Sequence, residues 1–265
     1  MALEFRSISA LLAHWSSARL RALFAEDPRQ AAQWARVLAD EGLSAAQLTY
    51  GRMLLAGTGV ATDASAALKW FRRAAEQGDI DAVNMVGRCL DNGWGTSEDA
   101  AAAVQHYQRA AAAGHAWAQY NLGHLYLDGR GVARELERAF GCYLCAASQG
   151  HERAMNLVAR CCEEGWGTPR DRAAAAHWYQ RSAQGGYFRG QYNWATLLLN
   201  EGRAEEAAAW FERAARGGTP GVRGAVIGLI ERHRGGAGTD GAMQRLAARL
   251  NEQSNAVTLG AAQLC

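Results

Sequence analysis

One stretch, Trp117 to Gly150, is copied before and after itself, and this repetition restricts the fold more than any other feature of the chain. Gly51, Gly87 and Gly123 stand 36 residues apart, and Ala159 and Ala195 carry the register on. The same step joins Gly57, Gly93, Gly129 and Gly165, then Gly59, Gly95, Gly131 and Gly167, then Phe71, Tyr107, Tyr143 and Tyr179. A period of roughly 20 to 50 residues marks a solenoid, because a unit that small cannot bury its apolar face alone and has to stack on its neighbours. The unit reads as two short helices split by a glycine turn. Ala118, Leu122, Gly123, Leu125 and Tyr126 lie at helical spacing, Gly129-Arg130-Gly131-Val132 interrupts them, and Ala139, Tyr143, Ala146 and Ala147 resume the pattern before Gly150.

Thirty glycines are an excess for a helical protein unless they punctuate it, and here most fall between helices. A hydrophobic share of 49% supplies the apolar faces, while three prolines and abundant alanine favour helix. The formal net charge of +2 lies too near neutral to indicate nucleic acid as the main partner. Lys69 is the only lysine, so the basic surface is arginine throughout, as the composition of a GC-rich coding sequence would give.

Met1 to Phe24 carries Phe5, Ile8, Leu11, Leu12, Trp15, Leu20 and Leu23 at helical spacing, with Glu4, His14 and Arg19 among them. It reads as a capping helix rather than a signal peptide. A helix lying on a membrane through Arg6, Arg19 and Arg21 is the weaker alternative, since those charges are few and scattered. No run of about 18 apolar residues occurs, which excludes a membrane-spanning helix, and the expected location is cytoplasmic. Asp27-Pro28 signals a helix start, and the helix ends at Gly42 as the second half of a degenerate first repeat. The division is therefore 1–44 for the N-terminal cap, then repeats 45–80, 81–116, 117–152, 153–188 and 189–220. The fifth repeat loses its glycine turn, because Asn200-Glu201-Gly202-Arg203 joins its helices directly. Residues 221–265 supply a half repeat (Val222 to Glu231), a connection from Gly235 to Gly241, and a last amphipathic helix from Ala242 to Leu250. Terminal repeats are expected to be atypical because one face meets water.

Packing explains the constant positions. The Gly51, Gly87, Gly123, Ala159, Ala195 register requires a tiny side chain where helices approach closely. Met53, Cys89, Leu125 and Cys161, with Leu54, Leu90, Tyr126 and Cys162, fill the core around it. The Gly-x-Gly turn suits positive φ. Asp63, Asp99, Glu135 and Asp171 stand where second helices begin, as caps that also meet the helix dipole.

The pattern Ala-x-x-x-Leu-Gly-x-x-Tyr-x-x-Gly-x-Gly-Val, then acid, Ala, aromatic pair and Ala-Ala-x-x-Gly, resembles the Sel1-like repeat family, relatives of the tetratricopeptide repeats. Ala118, Leu122, Gly123, Tyr126, Gly129, Gly131, Val132, Ala139, Tyr143, Ala146, Ala147 and Gly150 carry the match, which extends over about residues 31 to 231. The resemblance implies an all-α, right-handed superhelix whose concave face binds other proteins, without enzymatic activity and with no cofactor, in a bacterial setting. Val86 and Val158 replace the usual leucine, Cys162 replaces the tyrosine, and Arg134-Glu135-Leu136 is a weak helix start.

Recognition must come from positions that vary. One register on the first helices reads Arg52, Arg88, His124, Arg160 and Thr196. With helices roughly 8 to 10 Å apart, it forms a basic ladder. Four residues earlier, on the same face, the chain places Leu48, Asn84, Tyr120, Asn156 and Tyr192. Arginine, asparagine and tyrosine together can hold a peptide by its carboxylates and backbone, so the expected partner is a protein or peptide with acidic segments. The bland counterpart is that arginine is a good helix former on any exposed face, and Asp91, Asp128, Glu163 and Glu164 lie close enough in sequence to neutralise the ladder. Arg73, Arg109, Arg181 and Arg213 form another row, on the second helices, and read as outer-face cover.

Cys142 and Cys145 with Cys161 and Cys162 count as four potential metal ligands, which keeps a metal- or redox-sensing adaptor as an alternative. Cys89 and Cys161 nevertheless sit at a core register, where thiols act as small hydrophobes. Cys265 reads as a free thiol. The cysteine-rich branch of the family bridges cysteines within each repeat. That recurrence is missing here, so its disulfides and hydrolase-like activity are not carried over beyond a second alternative, a cryptic hydrolase. His106, His177, Asp63 and Asp171 form no nucleophile, base and orienter set, and the glycine turns lack the lysine and preceding strand of a P-loop.

Overall fold

The computed structural model describes residues 26–232 and 241–262. The expected helix of Met1 to Phe24, the connection from Gly235 to Asp240 and the thiol of Cys265 lie outside them. The chain divides into two compact units, Met1–Arg134 and Glu135–Cys265. The described residues of the first form α1 (Pro28–Asp40), α2 (Ser44–Ala56), α3 (Ala64–Glu76), α4 (Ile80–Asn92), α5 (Ala100–Ala112) and α6 (Ala116–Asp128). Those of the second form α7 (Leu136–Ser148), α8 (Glu152–Glu164), α9 (Arg172–Gln184), α10 (Phe188–Asn200), α11 (Ala204–Gly217), α12 (Pro220–Arg232) and α13 (Gly241–Ala262). Among the described residues there is no strand, and within each unit consecutive helices pack on one another. The expected all-α solenoid of helical hairpins is what forms.

Local chemistry sets the boundaries. Asp27 Oδ1 accepts the Gln30 amide at 3.0 Å with Pro28 as the first helical residue. Asp63, Asp99 and Asp171 cap α3, α5 and α9 in the same way at 2.8 to 2.9 Å. Glu135, one methylene longer, makes no cap hydrogen bond and instead pairs with Arg138 at 3.0 Å. Gly57, Gly93, Gly129 and Gly165 end the first helices in the left-handed conformation. The second glycine of each turn has a separate duty. A Cβ on Gly59, Gly95 or Gly131 would run into the backbone of Pro28, Ala64 or Ala100, and one on Gly167 into that of Leu136. Each turn therefore lies directly on the first residue of the second helix one repeat earlier.

The core of each hairpin is an aromatic ring seated over a small residue. A Cβ on Gly51 would lie 2.5 Å from the Phe71 ring, and one on Gly87 2.8 Å from the Tyr107 ring. Phe71, Tyr107, Tyr143 and Phe211 are completely or almost completely buried. Buried glutamines tie repeats together: Gln47, Gln119 and Gln191 each donate to a carbonyl eight residues back, at Ala39, Ala111 and Ala183. The last helix differs from expectation. It continues beyond Leu250 to Ala262, through the polar run 251–255 that reads in sequence as an end.

Candidate partner-binding surface

In the first unit, α2, α4 and α6 carry Arg52, Arg88 and His124. Arg52 is exposed and Arg88 half-buried. The Arg88 guanidinium lies 5.0 Å over the Trp94 ring, with Nη1 3.5 Å from Met85 Sδ. His124 stands edge-on to Tyr120 at 4.7 Å, and Tyr120 edge-on to Trp117 at 5.9 Å. Burial, helped by Arg130, lowers the His124 pKa below its ordinary 6.5 against the pull of Asp128 and Asp91. At neutral pH this rung of the ladder is therefore an uncharged ring. Trp117, 42% exposed, heads an aromatic strip along α6.

In the second unit, Arg160 is exposed and lies 4.9 Å over the Trp166 ring. Tyr192 packs edge-on against Phe211 at 5.5 Å, and the Thr196 hydroxyl donates to the Tyr192 carbonyl at 2.9 Å. Asn84 and Asn156 stand differently from expectation. They are 6% and 4% exposed, and each side-chain carbonyl accepts an amide from the next first helix: Asn121 Nδ2 at 3.2 Å and Asn193 Nδ2 at 2.8 Å. A buried amide that bonds its counterpart aligns neighbouring helices and is not free to grip a peptide.

Two of the acids near the ladder, Asp91 and Glu163, bond to tyrosine hydroxyls of the second helices. Asp91 accepts the Tyr107 hydroxyl at 3.4 Å and forms an ion pair with Arg130 at 3.0 Å. Glu163 accepts the Tyr179 hydroxyl at 2.7 Å. Among the described residues, no acid forms an ion pair with Arg52, Arg88 or Arg160. The outer row behaves as cover: Arg73, Arg181 and Arg213 lie 4.5 to 4.7 Å over Trp70, Trp178 and Trp210 of their own helices, and Arg109 reaches the Ala75 carbonyl at 3.4 Å.

Trp94 and Trp166 were missed by sequence reasoning, although the signal is present. Residues 84–96 and 156–168 share Asn, Val, Arg, Cys, an acid and Gly-Trp-Gly-Thr at matching places. The second and fourth repeats are thus closer to each other here than to their neighbours, and an alternation of two repeats is laid over the 36-residue step.

Packing raises four of the described thiols. Burial pushes the Cys161 thiol up to about 12 and the Cys89 and Cys142 thiols to about 11, and it raises Cys162 as well. Such thiols are poor nucleophiles at neutral pH. Cys142, Cys145, Cys161 and Cys162 do not assemble as the metal alternative requires: among the described residues, no group of three or more His, Cys, Asp or Glu side chains is placed to hold a metal ion. Among the described residues, no helix is long and apolar enough to cross a membrane.

Stacked helical hairpins, each closed by a glycine turn and an aromatic ring on a small residue, define an α-helical repeat protein of the solenoid class. The family model of the Sel1 repeat matches residues 23–43, 44–79, 80–115, 118–151, 152–187 and 189–219, and the chain belongs to the Sel1 repeat family. A Sel1 repeat protein from Oxalobacter formigenes has a similar structure, with a TM-score of 0.76 and 24% identity over 91% of this chain and 100% of that one. The c5321 protein of uropathogenic Escherichia coli strains, a protective antigen displaying an SLR fold, is 27% identical with a TM-score of 0.69. That match covers 88% of this chain and 52% of the E. coli protein, so this chain spans about half of that relative's length. The immunity protein Pa5087 from Pseudomonas aeruginosa shares the fold at 15% identity and a TM-score of 0.51, over 79% of this chain and 80% of its own. No curated protein matches the chain. Sel1 repeat proteins are in general protein-interaction scaffolds, and the family is in general non-enzymatic.

Proposed function

We propose that this chain is a non-enzymatic adaptor that holds a partner peptide or domain on the wall formed by its first helices, with a preference for acidic segments. The observation that carries this reading is the pair of stacked cations, Arg88 over Trp94 and Arg160 over Trp166. A guanidinium lying on an indole is held in place, yet its donors remain available to a carboxylate. Arg52 adds a third charge, while Tyr120 and Tyr192 add rings with polar tips of the kind enriched at interfaces. His124 contributes a neutral hydrogen-bonding ring, and Asn84 and Asn156 keep the wall in register. Cys89, Cys161 and Cys162 are free thiols, in keeping with the reducing conditions of a cytoplasmic location.

Affinity capture from the native cell, comparing the wild type with an Arg52→Glu/Arg88→Glu/Arg160→Glu variant, tests the reading. Capture should be lost in the variant while circular dichroism stays unchanged. Undiminished capture removes the proposal.

A further inference from the structure

Four repeats join their two helices by loops of seven residues, 57–63, 93–99, 129–135 and 165–171. In each loop the second glycine covers the first residue of an earlier second helix: Pro28, Ala64, Ala100 and Leu136 in turn. The fifth repeat joins α10 to α11 by three residues, 201–203. Among the described residues, no such glycine reaches Arg172, which heads α9. A surface cavity of about 460 Å³ stands there, bounded by Glu163, Arg172, Ala175, Leu197, Asn200 and Glu201.

The first unit indicates what that cavity lacks. Asp91, the counterpart of Glu163 two repeats earlier, is met by Tyr107 from its own repeat and by Arg130 from the turn of the next, at 3.0 Å. Arg130 is the centre of Gly129-Arg130-Gly131, whose second glycine lies on Ala100. Glu163 has the matching tyrosine, Tyr179 at 2.7 Å. Among the described residues, however, no arginine or lysine pairs with it. The short loop's own arginine, Arg203, is held by Glu206 at 2.8 Å and by Glu201 at 3.3 Å.

We propose that this cavity is a docking site for a Gly-Arg-Gly turn supplied by a partner protein. The incoming arginine pairs with Glu163 as Arg130 pairs with Asp91, and the second glycine lies over the Arg172 end of α9, where a side chain would strike backbone. The site lies where α8 and α10 end beside the start of α9, past the ladder positions Arg160 and Thr196, and the carboxylate it offers an incoming cation is Glu163, since Glu201 is already paired with Arg203 at 3.3 Å.

The test is nuclear magnetic resonance titration of the ¹⁵N-labelled full chain with the peptide Asp-Gly-Arg-Gly-Val-Ala, the sequence of residues 128–133. Shifts are expected at Arg172, Leu197 and Asn200, and they should vanish when the peptide's second glycine is alanine. Glu163→Gln retains an acceptor for Tyr179 and should bind about tenfold more weakly, the loss of one charge-assisted hydrogen bond. A variant with Gly-Arg-Gly-Val inserted after Asn200, restoring the seven-residue loop, should melt at a higher temperature and ignore the peptide. Absence of shifts in the wild type, shifts confined to the first-helix wall, or equal affinity in Glu163→Gln would each overturn the proposal.

Discussion

Gly95 shows how one atom decides whether neighbouring repeats can meet. Its φ is +75°, and a Cβ there would run into the Ala64 carbonyl. Gly78, at φ +88°, has nothing within 4 Å of a Cβ. Gly78→Ala should therefore cost about 1 kcal/mol, the conformational penalty alone. Gly95→Ala adds a backbone displacement and should cost about 3 kcal/mol or more in urea denaturation. Equal losses would refute the close approach. A second residue-scale expectation concerns pH. Burial raises Tyr107, Tyr179, Cys89 and Cys161 and lowers His106 and His124. Raised acids stabilise the fold below their unfolded pKa, 9.0 for thiols and 10.0 for tyrosines, and lose that contribution as pH climbs through the folded values. Lowered histidines stabilise above 6.5, and the benefit fades as pH falls below it. The urea midpoint should be highest between about pH 7 and 9 and decline on both sides, whereas a midpoint still rising above pH 10 would contradict the burial. The small and aromatic core residues were legible in sequence because packing forces them to recur. Asn84 and Asn156 were misread because spacing assigns a face but not whether a neighbour such as Asn121 or Asn193 fills it.

At the scale of one helix, the caps carry the start signals. Asp99→Ala should cost about 1 kcal/mol through the lost acceptor for Ala102 N. Glu135 occupies cap geometry, with φ −136° and ψ 93°, but its carboxylate bonds no helix amide. Glu135→Asp is therefore expected to stabilise the protein by about 0.5 to 1 kcal/mol despite losing the exposed Arg138 pair, which is worth little. Thermal melting of the two variants checks both signs, and a destabilised Glu135→Asp would show that the α7 start is held by something else. Helix starts were readable because a cap is a local event in four residues. The extension of α13 to Ala262 was not, since residues 251–255 offer no apolar period from which to read it. The missing turn of the fifth repeat was visible as a gap in the glycine registers. Its consequence, the start of α9 left without a covering glycine among the described residues and with Glu163 beside it, needed coordinates, because the loop that ought to fill that place belongs to a different repeat.

Across the whole array, the pairing of unlike repeats makes a prediction that single repeats would not. Asn84 expects Asn121 and Asp91 expects Arg130, but the first repeat offers Leu48 and Leu55 at those places. Deleting residues 80–115 would set Asn121 and Arg130 against leucines, whereas deleting 80–151 would join the first repeat to the fourth, a near copy of the second. In an array stabilised by nearest-neighbour interfaces, the longer deletion should give the higher unfolding midpoint, and the reverse order would contradict the paired period. The solenoid class was legible from the 36-residue step alone, since stacking leaves a mark in every copy. The proposed binding surface was only half legible, because the Arg88 and Trp94 pair lies within one repeat and recurs in alternate ones. The most direct measurement of the division between folding and recognition is an alanine scan of residues 80–115, with each variant read for both urea midpoint and partner capture. Losses of stability should fall at Val83, Leu90 and Tyr107, and losses of capture without loss of stability at Arg88 and Trp94. A scan in which capture declines only in proportion to stability, at every position, would contradict the account.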